Sequence, residues 1–489
     1  TDFPPFLYAV PMSTRAIATS TLWQIASQAV MAALSIVTVK FVAIGLTQEL
    51  AGTYNSAYGY LQFFGILADA GLYAVAVREL ARAKDEGQTL GTLVLLRMIV
   101  TVVVFAAAIG IAWSIPHWRG SPLSIAVTIA AFVPVFTLLA GIQRSVFQVH
   151  YRMGSVFAAE VLQRVVTAGL IGATVLLGVR ASDDPRVAWW FLGIGSIGAF
   201  ILLARRIVKI RATWDPATMK RLLKLALPFG LAYLCMALYR NMDVTLIALL
   251  RPDFQVQNAM YGFALRANEM AFLIPTFLLN STLPIVSKRL LDGDDVSGLM
   301  RKTFLMIAVL SLGAGLTAMA WARPLMQLLT TDAYLSTSTN DGADTALFLL
   351  GPSMMLNGVV LFSFYTLLAL GKSRRLTWSL VAAAILSQAI NVFLIPTAGF
   401  VGAAITSIVV HAAIVLLLFL PTLRHVGVPF FSLAWGRIIG FSVLLAIGLH
   451  VGRPLLMSEG ATALGILGIG IWTIFSVEIL GIRRLVTRQ

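Results

Sequence analysis

Long apolar runs recur from one end of this chain to the other and leave little room for anything else. Each run has about 17–25 residues, the length that lets an α-helix cross a bilayer core of about 30 Å. Only 12% of the 489 residues are charged, about half the share usual for soluble domains. Because unpaired backbone groups are not tolerated in lipid, such runs fold as helices. The sequence therefore predicts an all-α, polytopic membrane protein.

Charge clusters, prolines and glycines divide the chain into fourteen predicted spans. The spans cover residues 18–44, 57–76, 90–113, 123–140, 155–178, 188–204, 225–249, 261–283, 304–321, 345–369, 378–395, 401–420, 437–451 and 462–480. The second and eighth spans open on similar sequences, in which Tyr54 aligns with Tyr261. This weak repeat predicts two six-helix lobes, at 1–204 and 225–420. A basic cytoplasmic connection at 205–224 joins them, and two extra C-terminal helices follow at 421–489.

Basic residues are distributed unequally between the two sides of the predicted membrane. Of the 36 lysines and arginines, 25 fall in segments on one side and six on the other. Short cytoplasmic loops carry such an excess, so we expect a multi-pass protein of the cell (inner, cytoplasmic) membrane with both termini in the cytoplasm. Attraction of these loops to anionic lipid headgroups also explains the net charge of +15, so no nucleic-acid partner is expected.

Nine ionisable residues interrupt the predicted spans, where a charge facing lipid costs about 3 kcal/mol. They are Lys40, Asp69, Arg97, Glu160, Arg164, Arg240, Asp243, Arg266 and Glu269. Three sets share a helical face because their members are three or four residues apart. These sets are Arg240 with Asp243, Arg266 with Glu269, and Glu160 with Arg164. One interpretation is that such pairs only make insertion tolerable. Asp69 and Arg97 are positioned to pair across helices, and Lys40 is close enough to a helix end to snorkel to the interface.

Two stretches carry a resemblance to a known family. Residues 20–82 run from a first helix, "STLWQIASQ", through the turn "AGTYNSAYGY" to the exit "ADAGLYAVAVRELAR". Residues 390–409, "INVFLIPTAGFVGAAITSIV", contain a Pro-x-x-Gly-x-x-Gly-Ala-Ala turn. Together with the fourteen-span plan, they resemble the polysaccharide or oligosaccharide-lipid flippases (Wzx-like) of the multidrug/oligosaccharidyl-lipid/polysaccharide (MOP) exporter superfamily. The resemblance covers nearly the whole chain.

The resemblance implies two helical bundles around a central cavity and alternating access. The implied activity is that of a transporter, not an enzyme. It would move a polyprenyl (undecaprenyl)-pyrophosphate-linked oligosaccharide from the cytoplasmic to the outer leaflet for polysaccharide, such as O-antigen, biosynthesis. The implied partners are this lipid-linked oligosaccharide, membrane lipids and polysaccharide polymerase or assembly proteins. No cofactor or metal is expected, and a coupling ion, H+ or Na+, stays open.

Such a substrate assigns roles to the ions within the spans. Guanidinium groups bind phosphate oxygens bidentately and stay charged when desolvated. We therefore expect the pyrophosphate to be bound by Arg97, Arg164, Arg240 and Arg266, with Lys40 as a further cation. The acids are expected either to pair with arginines in the empty state or to bind a coupling ion, and pairing is favoured for Asp243 and Glu269. The remaining acids are Asp69 and Glu160.

Two other transporters of the same superfamily stay open as alternatives. A lipid II flippase of peptidoglycan synthesis shares the span plan and the cationic cavity. A cation-coupled multidrug exporter is disfavoured because the first helix carries Lys40 and no acid, although Asp69 keeps it open. A membrane enzyme that polymerises or ligates saccharide lipids would be expected to expose a large outer loop, whereas the longest here, 323–344, has about 22 residues.

Several local patterns have plain explanations. The stretch "GIGSIG" at 193–198 matches a dinucleotide-binding pattern, but it lies inside an apolar span and is predicted to be glycine for helix packing. His411, in the twelfth span, is predicted to be a packed or cavity histidine. Tyr261 and the tyrosines near the second span are predicted to be interfacial anchors.

Overall fold

A computed structural model describes residues 14–69, 71–80, 86–149, 153–205, 212–272, 295–370, 372–426 and 433–480, with isolated positions between 275 and 289. Apart from one bridge between Leu46 and Ser182, the regular structure in these residues is helical. The predicted all-α fold is confirmed. The chain forms two compact units, Thr1–Ala237 and Leu238–Gln489. The boundary between the two units falls within one helix. The predicted arrangement of six, six and two helices stays a prediction.

The N-terminal unit is built from apolar helices. They are α1 (Thr14–Gly45), α2 (Gln48–Asp69), α3 (Leu72–Leu80), α4 (Glu86–Ser114), α5 (Pro122–Ala130), α6 (Phe132–Val149), α7 (Met153–Leu176), α8 (Pro185–Arg205) and α9 (Pro216–Asn241), which continues into the second unit. Local sequence explains the start of α5. Ser121 caps the helix by accepting a hydrogen bond from the Leu123 N–H, and Pro122 occupies the first turn, where no donor is needed.

Polar and small side chains fix the packing of this unit at a few points. The Tyr60 hydroxyl of α2 donates to the Ala108 carbonyl of α4 at 2.7 Å, and Trp118 packs edge-on against the Tyr60 ring. Gly198 of α8 lies against α7, where an added Cβ would stand 2.2 Å from the Thr167 hydroxyl. This glycine belongs to the "GIGSIG" stretch, whose predicted role in helix packing is thereby confirmed.

After the end of α9, the C-terminal unit continues with one short helix and ends with two strongly apolar ones. Its helices after α9 are α10 (Asp243–Leu250), α11 (Phe254–Ala271), α12 (Ser297–Ala320), α13 (Ala322–Leu329), α14 (Ala343–Ala369), α15 (Ser373–Val426), α16 (Leu433–Gly452) and α17 (Glu459–Ile479). The long α15 is interrupted at Gly399, which has φ of 55° and ψ of −133°. Glycine is needed here because a side chain is disfavoured at this positive φ.

Close backbone approach joins α12 to α14. An added Cβ on Gly358 would stand 1.8 Å from the Ser311 hydroxyl, and one on Gly315 would stand 2.7 Å from the Gly351 carbonyl. Small residues at such contacts are typical of helices packed in a membrane. Trp321 is 2% exposed and donates its indole N–H to the Leu449 carbonyl at 2.8 Å, which ties α16 to this pair.

The predicted spans can be compared with the helices directly. Nine described helices are long and apolar enough to cross a membrane, or ten if α9, bent by 46° near residues 228–229, is one span. One of the nine is α15, which contains two predicted spans, 378–395 and 401–420. The prediction for 261–283 extends into a segment of which only isolated positions are described. The polytopic membrane fold is confirmed.

Three predicted helix ends are wrong in ways that matter for the site. The fourth span was expected to end at 140, but α6 continues to Val149. The seventh was expected to be continuous over 225–249, but α9 ends at Asn241 and α10 begins at Asp243. The second was expected to run to 76, but α2 ends at Asp69. The predicted ends followed the extent of the apolar runs, which here does not coincide with where the helices end.

Candidate functional site

The N-terminal unit buries an arginine against an acid from a neighbouring helix. Asp69 is the last residue of α2, and Arg97 lies in the first half of α4. Arg97 donates from Nη2 to the Asp69 carboxylate. The side chain of Arg97 is 3% exposed and that of Asp69 is 28% exposed. The predicted pairing of Asp69 with Arg97 across helices is confirmed.

This guanidinium has unused donors. Its Nε and Nη1 atoms are buried and hydrogen-bond no atom of the described residues. Gly141 of α6 lies beside it, where an added Cβ would stand 3.7 Å from Nη2 of Arg97. A buried charged group with unfilled donors costs free energy unless an acceptor is supplied. The unfilled donors of Arg97 therefore favour a further anionic or polar acceptor.

A second arginine, Arg144, lies on the face of α6 that carries Gly141. Arg144 lies three residues after Gly141, so both face the same side of the helix. Arg144 donates from Nη1 to the Glu160 carboxylate of α7 at 3.1 Å. Arg144 was not among the predicted site residues because the fourth span was expected to end before it. Ile142 and Val146, two apolar residues at helical spacing, are a sequence pattern that could have extended the predicted span past Arg144. Both are buried in the structure.

Other predicted site residues lie on the helices without a tested role. In the N-terminal unit, Lys40 on α1 and Arg164 on α7 are half-buried. In the C-terminal unit, Arg266 is half-buried and Glu269 is exposed, both on α11. The pairing of Glu160 with Arg164, that of Arg266 with Glu269, and the snorkelling of Lys40 stay predictions.

The C-terminal unit encloses a carboxylate in a polar site. Asp243, 3% exposed, accepts a hydrogen bond from the Tyr261 hydroxyl of α11 at 2.7 Å. It accepts a second from the side-chain amide of Asn391 of α15 at 2.9 Å. The Oδ1 atom of Asn391 is buried and has no hydrogen bond within the described residues. Three helices thus converge on one buried acid.

The predicted pairing of Arg240 with Asp243 is wrong. The described residues show the Asp243 carboxylate bound by Tyr261 and Asn391 instead. The two residues do not lie on one helix, because α9 ends before Asp243 begins α10. Position in the first turn of α10 also favours the carboxylate, since an acid there interacts well with the helix dipole.

Two predictions about aromatic and histidine residues have different outcomes. Tyr261 was expected to anchor the interface, but it is fully buried and binds Asp243. His411 is buried as predicted. Its Nδ1 lies 2.7 Å from the Ser407 carbonyl, and its ring packs edge-on against Tyr239 at 5.8 Å. Asn391 was not predicted, although an amide within an apolar run is a signal that could have indicated it.

A network of polar contacts closes the α10–α11 turn onto the Gly399 turn. Arg251 makes two hydrogen bonds to Asp253, at 2.7 and 2.9 Å, and one to the Pro396 carbonyl at 2.7 Å. Gln257 accepts the Phe400 N–H at 3.0 Å. The Arg251 hydrogen bonds hold the pKa of Asp253 below its ordinary value. The Pro-x-x-Gly motif is therefore held by side chains from the preceding helical pair.

Solved transporters share this fold. Lipid II flippase MurJ in an inward closed conformation is similar with a TM-score of 0.69 and 13% identity, over 96% of this chain and 100% of that one. An inward-facing multidrug resistance MATE family transporter has a TM-score of 0.62 and 13% identity, over 81% and 94% of the two chains. A MOP superfamily transporter from Pyrococcus furiosus has a TM-score of 0.56 and 14% identity, over 84% and 95%.

The MATE family transporter and the Pyrococcus furiosus transporter are described as members of the MOP superfamily, and this chain shares their fold. A family model described as polysaccharide biosynthesis protein matches residues 17–288, more than half of the chain. The chain belongs to this family. None of the curated proteins matches it significantly.

Proposed function

We propose that the protein is a flippase that moves a polyprenyl (undecaprenyl)-pyrophosphate-linked oligosaccharide from the cytoplasmic to the outer leaflet of the inner membrane by alternating access. Two findings support a lipid-linked saccharide as the substrate. The family concerns polysaccharide biosynthesis, and the fold is one of transporters that include a lipid flippase. The excess of basic residues on one side supports cytoplasmic termini.

The observation that carries the proposal is the buried guanidinium of Arg97. It keeps two buried donors unfilled by the described residues, and its counter-ion Asp69 is partly exposed. A pyrophosphate offers several oxygens, and arginine binds such groups through two parallel N–H donors. We infer that the pyrophosphate occupies these donors of Arg97.

Asp69 then has a defined role in the cycle. In the empty state it neutralises Arg97, as the ion pair indicates. An arriving pyrophosphate competes with Asp69 for the guanidinium of Arg97 and replaces it as the counter-ion. Arg164 is proposed to contribute a further positive charge on the inner side, and Arg240 and Arg266 are proposed to contact the pyrophosphate later in transfer. If Arg240→Ala and Arg266→Ala variants retain full transfer at normal expression, the later contact is wrong.

Asp243 is proposed as the site of a coupling ion. It does not neutralise Arg240, so its buried charge needs another reason to be retained. The carboxylate and the free Oδ1 of Asn391 are oxygen ligands of the kind that hard cations prefer. A proton or Na+ bound here would change the charge at the junction of α10, α11 and α15.

A leaflet-accessibility assay in liposomes tests the function directly. The purified protein is reconstituted with candidate polyprenyl-pyrophosphate saccharides, with and without an imposed H+ or Na+ gradient. Transfer is expected with the intact protein and is expected to be lost in Arg97→Gln. The matched control is Arg119→Gln, which removes an exposed arginine from the turn before α5 and should transfer normally.

The alternatives give different results in the same liposomes. Transfer of lipid II in preference to other lipid-linked saccharides would identify a lipid II flippase. Drug efflux driven by a cation gradient, without lipid transfer, would identify a multidrug exporter. Either result would overturn the proposed substrate.

A further inference from the structure

The long helix α15 folds back on itself and creates a groove near its two ends. Leu417 lines the same cavity as six residues of the segment 372–382, namely Lys372, Arg374, Arg375, Trp378, Ser379 and Ala382. A straight helix would separate Lys372 from Leu417 by about 68 Å, at about 1.5 Å per residue. The break at Gly399 therefore reverses the chain, so that the second half of α15 runs beside the first.

This groove has a cationic end and an apolar wall. Its volume is about 710 Å³, and it is lined by Lys372, Arg374, Arg375, Trp378, Ser379, Ala382 and Leu417. The three cations are exposed, and the apolar span begins at Arg374. Trp378 is 65% exposed and Leu417 is 42% exposed. The cations thus lie at the start of a helix that is apolar enough to span a membrane, and the tryptophan follows one turn later.

The positive charge of the groove is not balanced locally. No aspartate or glutamate occurs between Asp344 and Glu459. Across the described part of the chain, the side chains of Lys372, Arg374 and Arg375 form no ion pair. Three unneutralised cations in four residues attract an anion, and basic pockets between membrane helices are known to hold lipid headgroups.

We propose that this groove binds the headgroup of an anionic phospholipid. The phosphate contacts Lys372, Arg374 and Arg375, and the glycerol and acyl chains lie along Trp378 toward the bilayer interior. Ala382 and Ile385 continue the wall, because they follow Trp378 at helical spacing. Ile385 is 66% exposed, as a side chain facing acyl chains would be. This continuous apolar face favours a lipid over a soluble phosphate.

Native mass spectrometry of the delipidated full-length protein tests the site with phosphatidylglycerol and phosphatidylcholine as probes. Arg374→Gln/Arg375→Gln is expected to weaken phosphatidylglycerol binding by about 30-fold, since each cation contributes about fivefold near an anionic surface. Phosphatidylcholine binding should not change. The matched control, Lys220→Gln/Lys224→Gln, removes two exposed cations from α9 and should leave phosphatidylglycerol binding intact.

Rescue and competition sharpen the test. Arg374→Lys/Arg375→Lys keeps both charges and should restore most of the binding. Equal binding of the two phospholipids, or equal loss in the α9 control, would overturn the proposal. Inorganic phosphate that displaces the lipid at micromolar concentration would show that only the anion is recognised and would also overturn it. A polyprenyl pyrophosphate that binds here when phosphatidylglycerol does not would reassign the groove to the transported lipid.

Discussion

The substitutions Asp69→Asn and Arg97→Gln remove the same ion pair, yet they should have unequal costs. In Asp69→Asn, the guanidinium of Arg97, 3% exposed, keeps its charge and loses its counter-ion. Breaking a buried pair in this way costs about 3–5 kcal/mol. Because asparagine still offers an acceptor, we expect the lower end, about 3 kcal/mol.

Substitution of the other partner, Arg97, leaves the carboxylate of Asp69 unpaired, which costs less free energy. In Arg97→Gln, the remaining carboxylate of Asp69 is 28% exposed and can be hydrated. We expect a cost of about 1 kcal/mol, the scale of a partly exposed ion pair. For a unit of the size of Thr1–Ala237, a destabilisation of 1 kcal/mol lowers the unfolding temperature by about 2–4 °C. Asp69→Asn should therefore unfold about 6–12 °C lower than the parent protein, and Arg97→Gln about 2–4 °C lower.

Ligand titration separates a binding role from a structural one. Thermal unfolding of the detergent-purified protein is measured with increasing undecaprenyl pyrophosphate. The ligand should stabilise Asp69→Asn more than the parent protein, because it becomes the only counter-ion of Arg97. It should not stabilise Arg97→Gln. If Arg97→Gln is the less stable variant, or if Asp69→Asn binds the ligand more weakly than the parent, the reasoning is refuted.

Three further predictions concern the C-terminal unit. Asn391→Leu should abolish the dependence of transfer on an ion gradient, whereas Asp243→Glu should retain part of it. Unchanged ion dependence in Asn391→Leu would exclude the proposed site. Gly358→Leu should lower the unfolding temperature by about 2–12 °C, since a Cβ would overlap a hydroxyl of α12 and overpacking costs about 1–3 kcal/mol. Gly358→Ala should have a smaller effect. Arg251→Gln should destabilise the protein above about pH 4, the ordinary pKa of Asp253. The lowered pKa of that carboxyl makes its contribution disappear as the pH falls through the folded-state pKa, so the difference in unfolding temperature from the parent should shrink below pH 4.

Position along the chain was enough to predict the pair of Asp69 and Arg97. Both lie within predicted apolar spans, at similar distances from the predicted ends on the same side of the membrane. Opposite charges at the same depth of the membrane on neighbouring helices have few possible partners other than each other. The predicted pair of Arg240 and Asp243 is wrong because its spacing assumed an unbroken helix, whereas α9 ends and α10 begins between these two residues, inside a predicted span.

The sequence by itself determined the fold class, the membrane character and the resemblance to a flippase family. These follow from apolar runs and short motifs, whose insertion free energies are local sums over neighbouring residues. Only the tertiary structure decided which partners each buried ion has. Asp243 binds Tyr261 and Asn391, 18 and 148 residues away along the chain, and Arg251 binds a carbonyl 145 residues away. Such contacts depend on how distant helices pack, which no local pattern in the sequence specifies.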